Sequence, residues 1–205
     1  MGLLNKFSQQ FRLPSGVLGE AAGYLMAATT KGRNQWTISQ LEIKPEDILL
    51  EIGYGPGVGI KECSALIESG KIEGIDISTT MKKQAERKNK QFIKQGKVKL
   101  LSGTVKDLPS EENTYDKIFS VNSVMFWEDQ AEAFNKLYTL LNEGGKIAVT
   151  YQPMFKGAKE EDAVHYGEEL QGIMKSAGFR DIRTELKQFK PVAAICVIGC
   201  KGREG

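Results

Sequence analysis

Ile48-Leu49-Leu50-Glu51-Ile52 is an apolar run broken only by one acid, and glycines follow it at once at positions 53, 55, 57 and 59. Such a run reads as a strand that feeds a tight loop. Glycine at alternate positions permits positive φ and lets the backbone lie against a bound molecule with its amides pointing at it. A helix is expected from about Val58, with Ile60, Cys63 and Ile67 at helical spacing and Ser69-Gly70 as its stop. Strand, glycine loop and helix make the first half of a nucleotide-binding βαβ unit.

A glycine pattern gains meaning from its surroundings. The next strand, Lys71 to Ile77, places Asp76 at its carboxyl end, about twenty residues past the first loop glycine, where a carboxylate can accept from both ribose hydroxyls of an adenosine. Ser78 already suits the capping of the helix beyond, which leaves Asp76 for a ligand. The dinucleotide spacing G-x-G-x-x-G fails in both frames. Counted from Gly53 its third glycine falls on Val58, and counted from Gly55 it falls on Ile60.

The spacing present is E-x-G-x-G-x-G, and here the chain resembles the class I S-adenosylmethionine-dependent methyltransferases. Leu50 to Gly57 looks like their first motif, Gly74 to Ser78 with Met81 and Ala85 like the second, and Leu101 to Val105 with Leu108-Pro109 like the third. Tyr115 to Ser120 resembles their fourth strand, and Leu140 to Ile147 the leucine and double-glycine turn before the fifth. The segments around Leu13-Pro14, Tyr24-Leu25, Trp36, Asn122 and Phe126-Trp127 are similar to a subgroup of small methyltransferases with mostly unassigned acceptors. The resemblance implies a Rossmann-like fold, S-adenosylmethionine as cofactor and S-adenosylhomocysteine as product. It assigns cofactor contacts to Glu51, Gly53, Tyr54, Gly55, Gly57, Asp76, Ile77, Met81, Thr104, Val105 and Asn122. One position departs from the pattern. Where relatives carry Gly-Asp, the acid accepting from the adenine amino group, this chain has Gly103-Thr104, whose hydroxyl is a weaker acceptor.

Strands are expected at 48–52, 72–75, 98–101, 117–121, 146–150, 180–188 and 192–199, with helices between them. Met81, Ala85, Lys88 and Phe92 share one helical face, as do Phe134, Leu137 and Leu141, and then Tyr166, Leu170, Ile173 and Met174. Alternating strands and helices give an α/β three-layer sandwich. Its sheet has seven mainly parallel strands, the last antiparallel, with helices on both faces. Residues 45–205 form the cofactor-binding domain. Residues 1–44 are read as a lid belonging to the same domain.

The chain has 205 residues, 40% hydrophobic and 26% charged, with a net charge of +2, which fits a single soluble domain. No apolar run approaches the roughly 20 residues that span a bilayer, and the start resembles no signal peptide, so a cytoplasmic protein is expected. Three cysteines do not form a disulfide framework, and with one histidine they offer no metal-ligand set.

A sulfonium methyl donor needs mainly alignment and exclusion of water, so the expected transferase reaction is in-line displacement onto a small-molecule acceptor. No catalytic base is assigned. His165, Tyr24, Tyr54 and Tyr151 are the residues weighed for it, and Phe126-Trp127 are read as an acceptor wall or as packing. A basic stretch from Lys82 to Lys99 keeps RNA as an alternative acceptor, although Glu86 interrupts it and nucleic acid is not expected. A non-catalytic S-adenosylmethionine-binding partner protein is the other alternative. A monomer or a homodimer is expected.

Overall fold

The computed structural model describes residues 30–202. Seven strands form one sheet: β1 (Ile48–Ile52), β2 (Lys71–Asp76), β3 (Val98–Ser102), β4 (Tyr115–Val121), β5 (Leu141–Tyr151), β6 (Arg180–Lys187) and β7 (Ala194–Cys200). Their spatial order is β3-β2-β1-β4-β5-β7-β6. Pairings from β3 across to β5 are parallel, and β7 runs antiparallel to both of its neighbours. The chain leaves β1 toward β2 and β3 and then crosses back to β4 on the other side. That reversal opens a crevice at the carboxyl ends of β1 and β4.

Period-two alternation sends Leu50 and Ile52 to one face of β1 and Leu49 and Glu51 to the other. Leu50 and Ile52 join a core with Phe134, Leu137, Leu170 and Met174, supplied by helices α5 (Gln130–Leu140) and α6 (Glu160–Ser176). Leu49 joins Trp36, Leu41, Ile60, Cys63 and Phe119 on the opposite face. That layer is built by α1 (30–39), α2 (Val58–Leu66), α3 (Thr79–Lys88) and α4 (Lys90–Lys94). Both sheet faces are therefore covered, which is why β1 is an almost unbroken apolar run.

The single helix expected over Met81 to Phe92 is two. Asn89 ends α3, and its side chain donates to the carbonyls of Gly57 and Ala85, so the chain turns there in spite of the continuous apolar stripe. The double-glycine turn lies inside β5 rather than before it. Pairing with β4 jumps from Tyr115–Leu141 to Lys117–Lys146, and the intervening residues bulge outward with Gly144 at φ 73°. Residues 1–29, part of the lid reading, lie outside the described residues. Residues 30–39 are helical and pack against the sheet, with Trp36 and Ile38 buried.

Candidate functional site

Gly53, Gly55 and Gly57 all take positive φ, at 74°, 50° and 75°, and they bring the chain from β1 into α2 without a side-chain cap. Their surroundings differ. A β-carbon on Gly53 would collide with Ser123, and one on Gly57 would stand 2.7 Å from Asn89 Nδ2 and 2.8 Å from Ala85 Cβ, whereas one on Gly55 would meet nothing within 4 Å. The loop is thus clamped at both ends and open in its middle. Gly59 lies within α2, and a β-carbon there would run into the Glu51 carboxylate and the Asn34 amide oxygen.

Asp76, at the end of β2, accepts from the Gly55 amide at 2.8 Å through one oxygen and from the Ser78 amide at 2.8 Å through the other. It therefore holds the open middle of the loop against the start of α3. Burial raises its pKa, partly opposed by those two amides. Glu51 is buried and accepts from the Ile60 amide in the first turn of α2; desolvation, aggravated by Asp76, lifts its pKa well above the ordinary carboxylate value. One Glu51 oxygen and the Asn34 amide oxygen have no hydrogen-bond partner. Two buried acceptors that both approach Gly59 thus lack a donor.

At the end of β3, Thr104 gives both its amide and its hydroxyl to the Asp107 carboxylate, at 2.8 and 2.9 Å. These bonds hold the Asp107 carboxyl below its usual range. Asp107 is a residue that sequence reasoning missed. It folds a carboxylate back over Gly103-Thr104, the turn where relatives carry the acid in sequence, and only the capping-box spacing Thr104-x-x-Asp107 signals it.

At the ends of β4 and β5, Asn122 sits at φ 53° and grips residue 152 twice, its Nδ2 donating to the Gln152 carbonyl at 3.2 Å and its Oδ1 accepting from the Gln152 amide at 2.8 Å. Both ends of the Asn122 side chain are thus engaged by residue 152. Ser123 donates to the Ile52 carbonyl at 2.8 Å and is in contact with Ser120 and Trp127, which ties the β4 turn to the start of the glycine loop. Arg33, on α1, donates to the side chain of Gln152, and the Gln152 amide nitrogen donates in turn to the carbonyls of Lys190 and Val192.

Two similarities carry the family. A methyltransferase-domain family model matches residues 50–149, and an uncharacterized methyltransferase, YdaC, of Bacillus subtilis (strain 168) is 37% identical over 180 residues, 88% of this chain and 97% of its own length. The chain belongs to the class I S-adenosylmethionine-dependent methyltransferases. The fold agrees. A S-adenosylmethionine-dependent methyltransferase from Aquifex aeolicus superposes with a TM-score of 0.71 at 18% identity, covering 88% of this chain and 97% of that one. Phosphoethanolamine N-methyltransferase 2 of Haemonchus contortus, in complex with phosphomonomethylethanolamine and S-adenosylhomocysteine, gives a TM-score of 0.69 at 19% identity over 84% of this chain and 53% of that one.

Among the residues weighed from sequence, this methyltransferase gathers Gly53, Gly55, Gly57, Asp76, Thr104 and Asn122 at the carboxyl ends of β1 to β4. Ile77 stands beside Asp76 with 41% of its surface exposed. Met81 and Val105 are buried, and their side chains belong to the core. Tyr54, weighed as a base or as packing, is buried beneath the loop, its hydroxyl donates to the Leu101 carbonyl at 2.9 Å, and burial raises its pKa. Gly74 is what makes room for that ring, since a β-carbon there would lie 2.7 Å from it. His165 is exposed on α6, its Nε2 3.3 Å from the Glu169 carboxylate. Tyr151 stacks on Tyr166 with ring centroids 4.2 Å apart, and Trp127 packs on Phe134 at 5.4 Å. Tyr24 lies outside the described residues.

The donor set suits the cofactor that the family implies: a glycine loop with one unencumbered position, a carboxylate at the next strand end, and buried acceptors lacking a donor. Among the described residues no cluster of His, Cys, Asp and Glu could hold a metal ion, and no helix is long and apolar enough to cross a membrane.

Proposed function

We propose that this methyltransferase binds S-adenosylmethionine over the carboxyl ends of β2, β1 and β4 and transfers its methyl group to a small-molecule acceptor beyond β4 and β5. The observation that carries the reading is the open space above Gly55, set in a loop otherwise sealed by Ser123 and Asn89 and bonded through its amide to Asp76. Asp76 accepts from the ribose hydroxyls. Thr104 and Asp107 face the adenine amino group, with Asp107 supplying the charged oxygen that Thr104 lacks. Ile77, 41% exposed beside Asp76, covers one face of the adenine. Glu51 and Asn34 offer their donor-free oxygens to the ammonium group, and the Asn122 backbone borders the same end.

The bound cofactor supplies an electrophilic methyl carbon on a sulfonium, displaced in line by the acceptor atom. The chain's own contribution is alignment and dryness. Tyr151, Tyr166 and Trp127 are half-buried aromatics beside the β4 and β5 ends; the Tyr151 and Tyr166 rings touch, Trp127 packs on Phe134, and the Tyr166 hydroxyl accepts from Gln130. Burial also raises the pKa values of Tyr151 and Tyr166, which makes either a poor base near neutrality. Among the described residues no side chain is set up as a base at these strand ends, which suits an acceptor atom that is nucleophilic by itself. Incubation with methyl-labelled S-adenosylmethionine and a metabolite extract, followed by mass spectrometry, tests the reading. A labelled small molecule is expected, and label found only in RNA would replace the acceptor class.

A further inference from the structure

Arg33 is 4% exposed, and its guanidinium has one hydrogen-bond partner among the described residues, the neutral side chain of Gln152. Its Nε has none. No carboxylate among the described residues forms an ion pair with it, and burial lowers its pKa from the usual guanidinium value. A buried cation left without a counter-charge is costly, and chains retain one where a ligand completes it.

The position is informative. Gln152, which receives Arg33, is gripped by Asn122, and the next residue, Ser123, closes on the carbonyl of Ile52 and on Gly53. On the other side Asn34, the neighbour of Arg33 on α1, approaches Gly59, as the Glu51 carboxylate does. Arg33 thus stands on the α1 side of the crevice, at the end away from Asp76 and Asp107. Adenosine held by those two carboxylates directs the other end of the cofactor, an ammonium and a carboxylate, toward α1. The acceptors without donors there, Glu51 and Asn34, suit the ammonium. The donor without an acceptor suits the carboxylate.

We propose that Arg33 is the ion-pair partner of the cofactor's amino-acid carboxylate, a proposal that rests on the cofactor reading above. A planar guanidinium fork matches a carboxylate with two parallel bonds, and the free Nε edge is the half of the fork that Gln152 leaves open. Gln152 and Asn122 then act as positioning residues, holding the fork in place before the ligand arrives.

Two probes separate this role from a structural one. S-adenosylhomocysteine carries the carboxylate, and 5′-methylthioadenosine keeps the adenosine and thioether without the amino-acid part. Calorimetry on the full chain is expected to show Arg33→Met weakening S-adenosylhomocysteine by roughly 30-fold or more, the effect of truncating one partner of a desolvated charge pair, with 5′-methylthioadenosine within about threefold of wild type. The melting temperature of the ligand-free variant is expected to match or exceed wild type, because an uncompensated buried charge has been removed. Equal weakening of both probes with a lowered melting temperature would overturn the proposal. It would make Arg33 a structural tie, or the partner of a carboxylate within residues 1–29. Unchanged S-adenosylhomocysteine affinity would overturn it as well. If Arg33→Met does not fold, Arg33→Lys keeps the charge without the fork, and a roughly fivefold or greater loss confined to S-adenosylhomocysteine is expected; equal loss for both probes is the contrary result. Wild type binding 5′-methylthioadenosine but not S-adenosylhomocysteine would defeat the Arg33 assignment alone. Wild type binding neither would defeat the site reading with it.

Discussion

Gly53 and Ser123 are packed so closely that a β-carbon on Gly53 would stand 2.5 Å from the Ser123 hydroxyl oxygen. The turn after β4 is thereby pressed onto the turn after β1, and the two strand ends that define the crevice become one rigid unit. Gly53→Ala meets this contact and a left-handed φ of 74° together. It is expected to cost about 2–4 kcal/mol of unfolding free energy in urea titration, from overpacking plus backbone strain.

Gly55→Ala makes the opposite prediction from the same loop. Nothing lies within 4 Å of its added methyl, so the stability loss is limited to about 1–2 kcal/mol of left-handed strain. S-adenosylhomocysteine affinity is expected to fall at least tenfold, because the methyl occupies the ligand's space. A variant that binds normally in calorimetry would place the cofactor elsewhere.

Asn89 holds the Gly57 and Ala85 carbonyls together from a fully buried position, where α3 gives way to α4. Asn89→Ala leaves the Gly57 carbonyl without that donor and opens a small void. A loss of about 2–3 kcal/mol is expected by urea denaturation. An effect below about 0.5 kcal/mol would show that the helix break does not depend on this side chain.

Glu51 couples the stability of the fold to pH. Its folded pKa is raised, so between the unfolded carboxylate value and the folded one the native state holds more protons than the unfolded state. Stability from this group is therefore present at low pH and declines as pH rises through that window. Glu51→Gln removes the titration and replaces one of the two orphan acceptors by an amide that can donate to the other, the Asn34 oxygen. The variant is expected to be more stable than wild type at pH 8, by on the order of 1 kcal/mol, with the advantage shrinking toward pH 5. Its affinity for S-adenosylhomocysteine should fall. A variant less stable than wild type at pH 8 would mean that the buried carboxylate is ionised and satisfied.

What was legible in the sequence is what short-range pattern dictates. The apolar runs at 48–52 and 117–121 must be covered on both faces, and the glycines and Asp76 sit at strand ends because the strands stop there. The crevice residues that were missed owe their roles to contacts across long stretches of chain. Arg33 and Gln152 are 119 positions apart, and Ser123 and Ile52 are 71 apart. Asn89 was hidden for another reason. The apolar stripe from Met81 to Phe92 continues through it, and only the Gly57 carbonyl, brought up by a different turn, makes a break favourable. Asp107 was readable in part, since the Thr104-x-x-Asp107 spacing is local, but its position over Gly103 comes from the turn itself.

The central claim is a cofactor site whose ribose end is Asp76. Calorimetric titration of S-adenosylhomocysteine into wild type and Asp76→Ala tests it most directly. Micromolar affinity in wild type and at least a roughly 30-fold loss in the variant are predicted, since two hydrogen bonds to a charged acceptor disappear. Equal affinity in the two proteins would contradict the assignment.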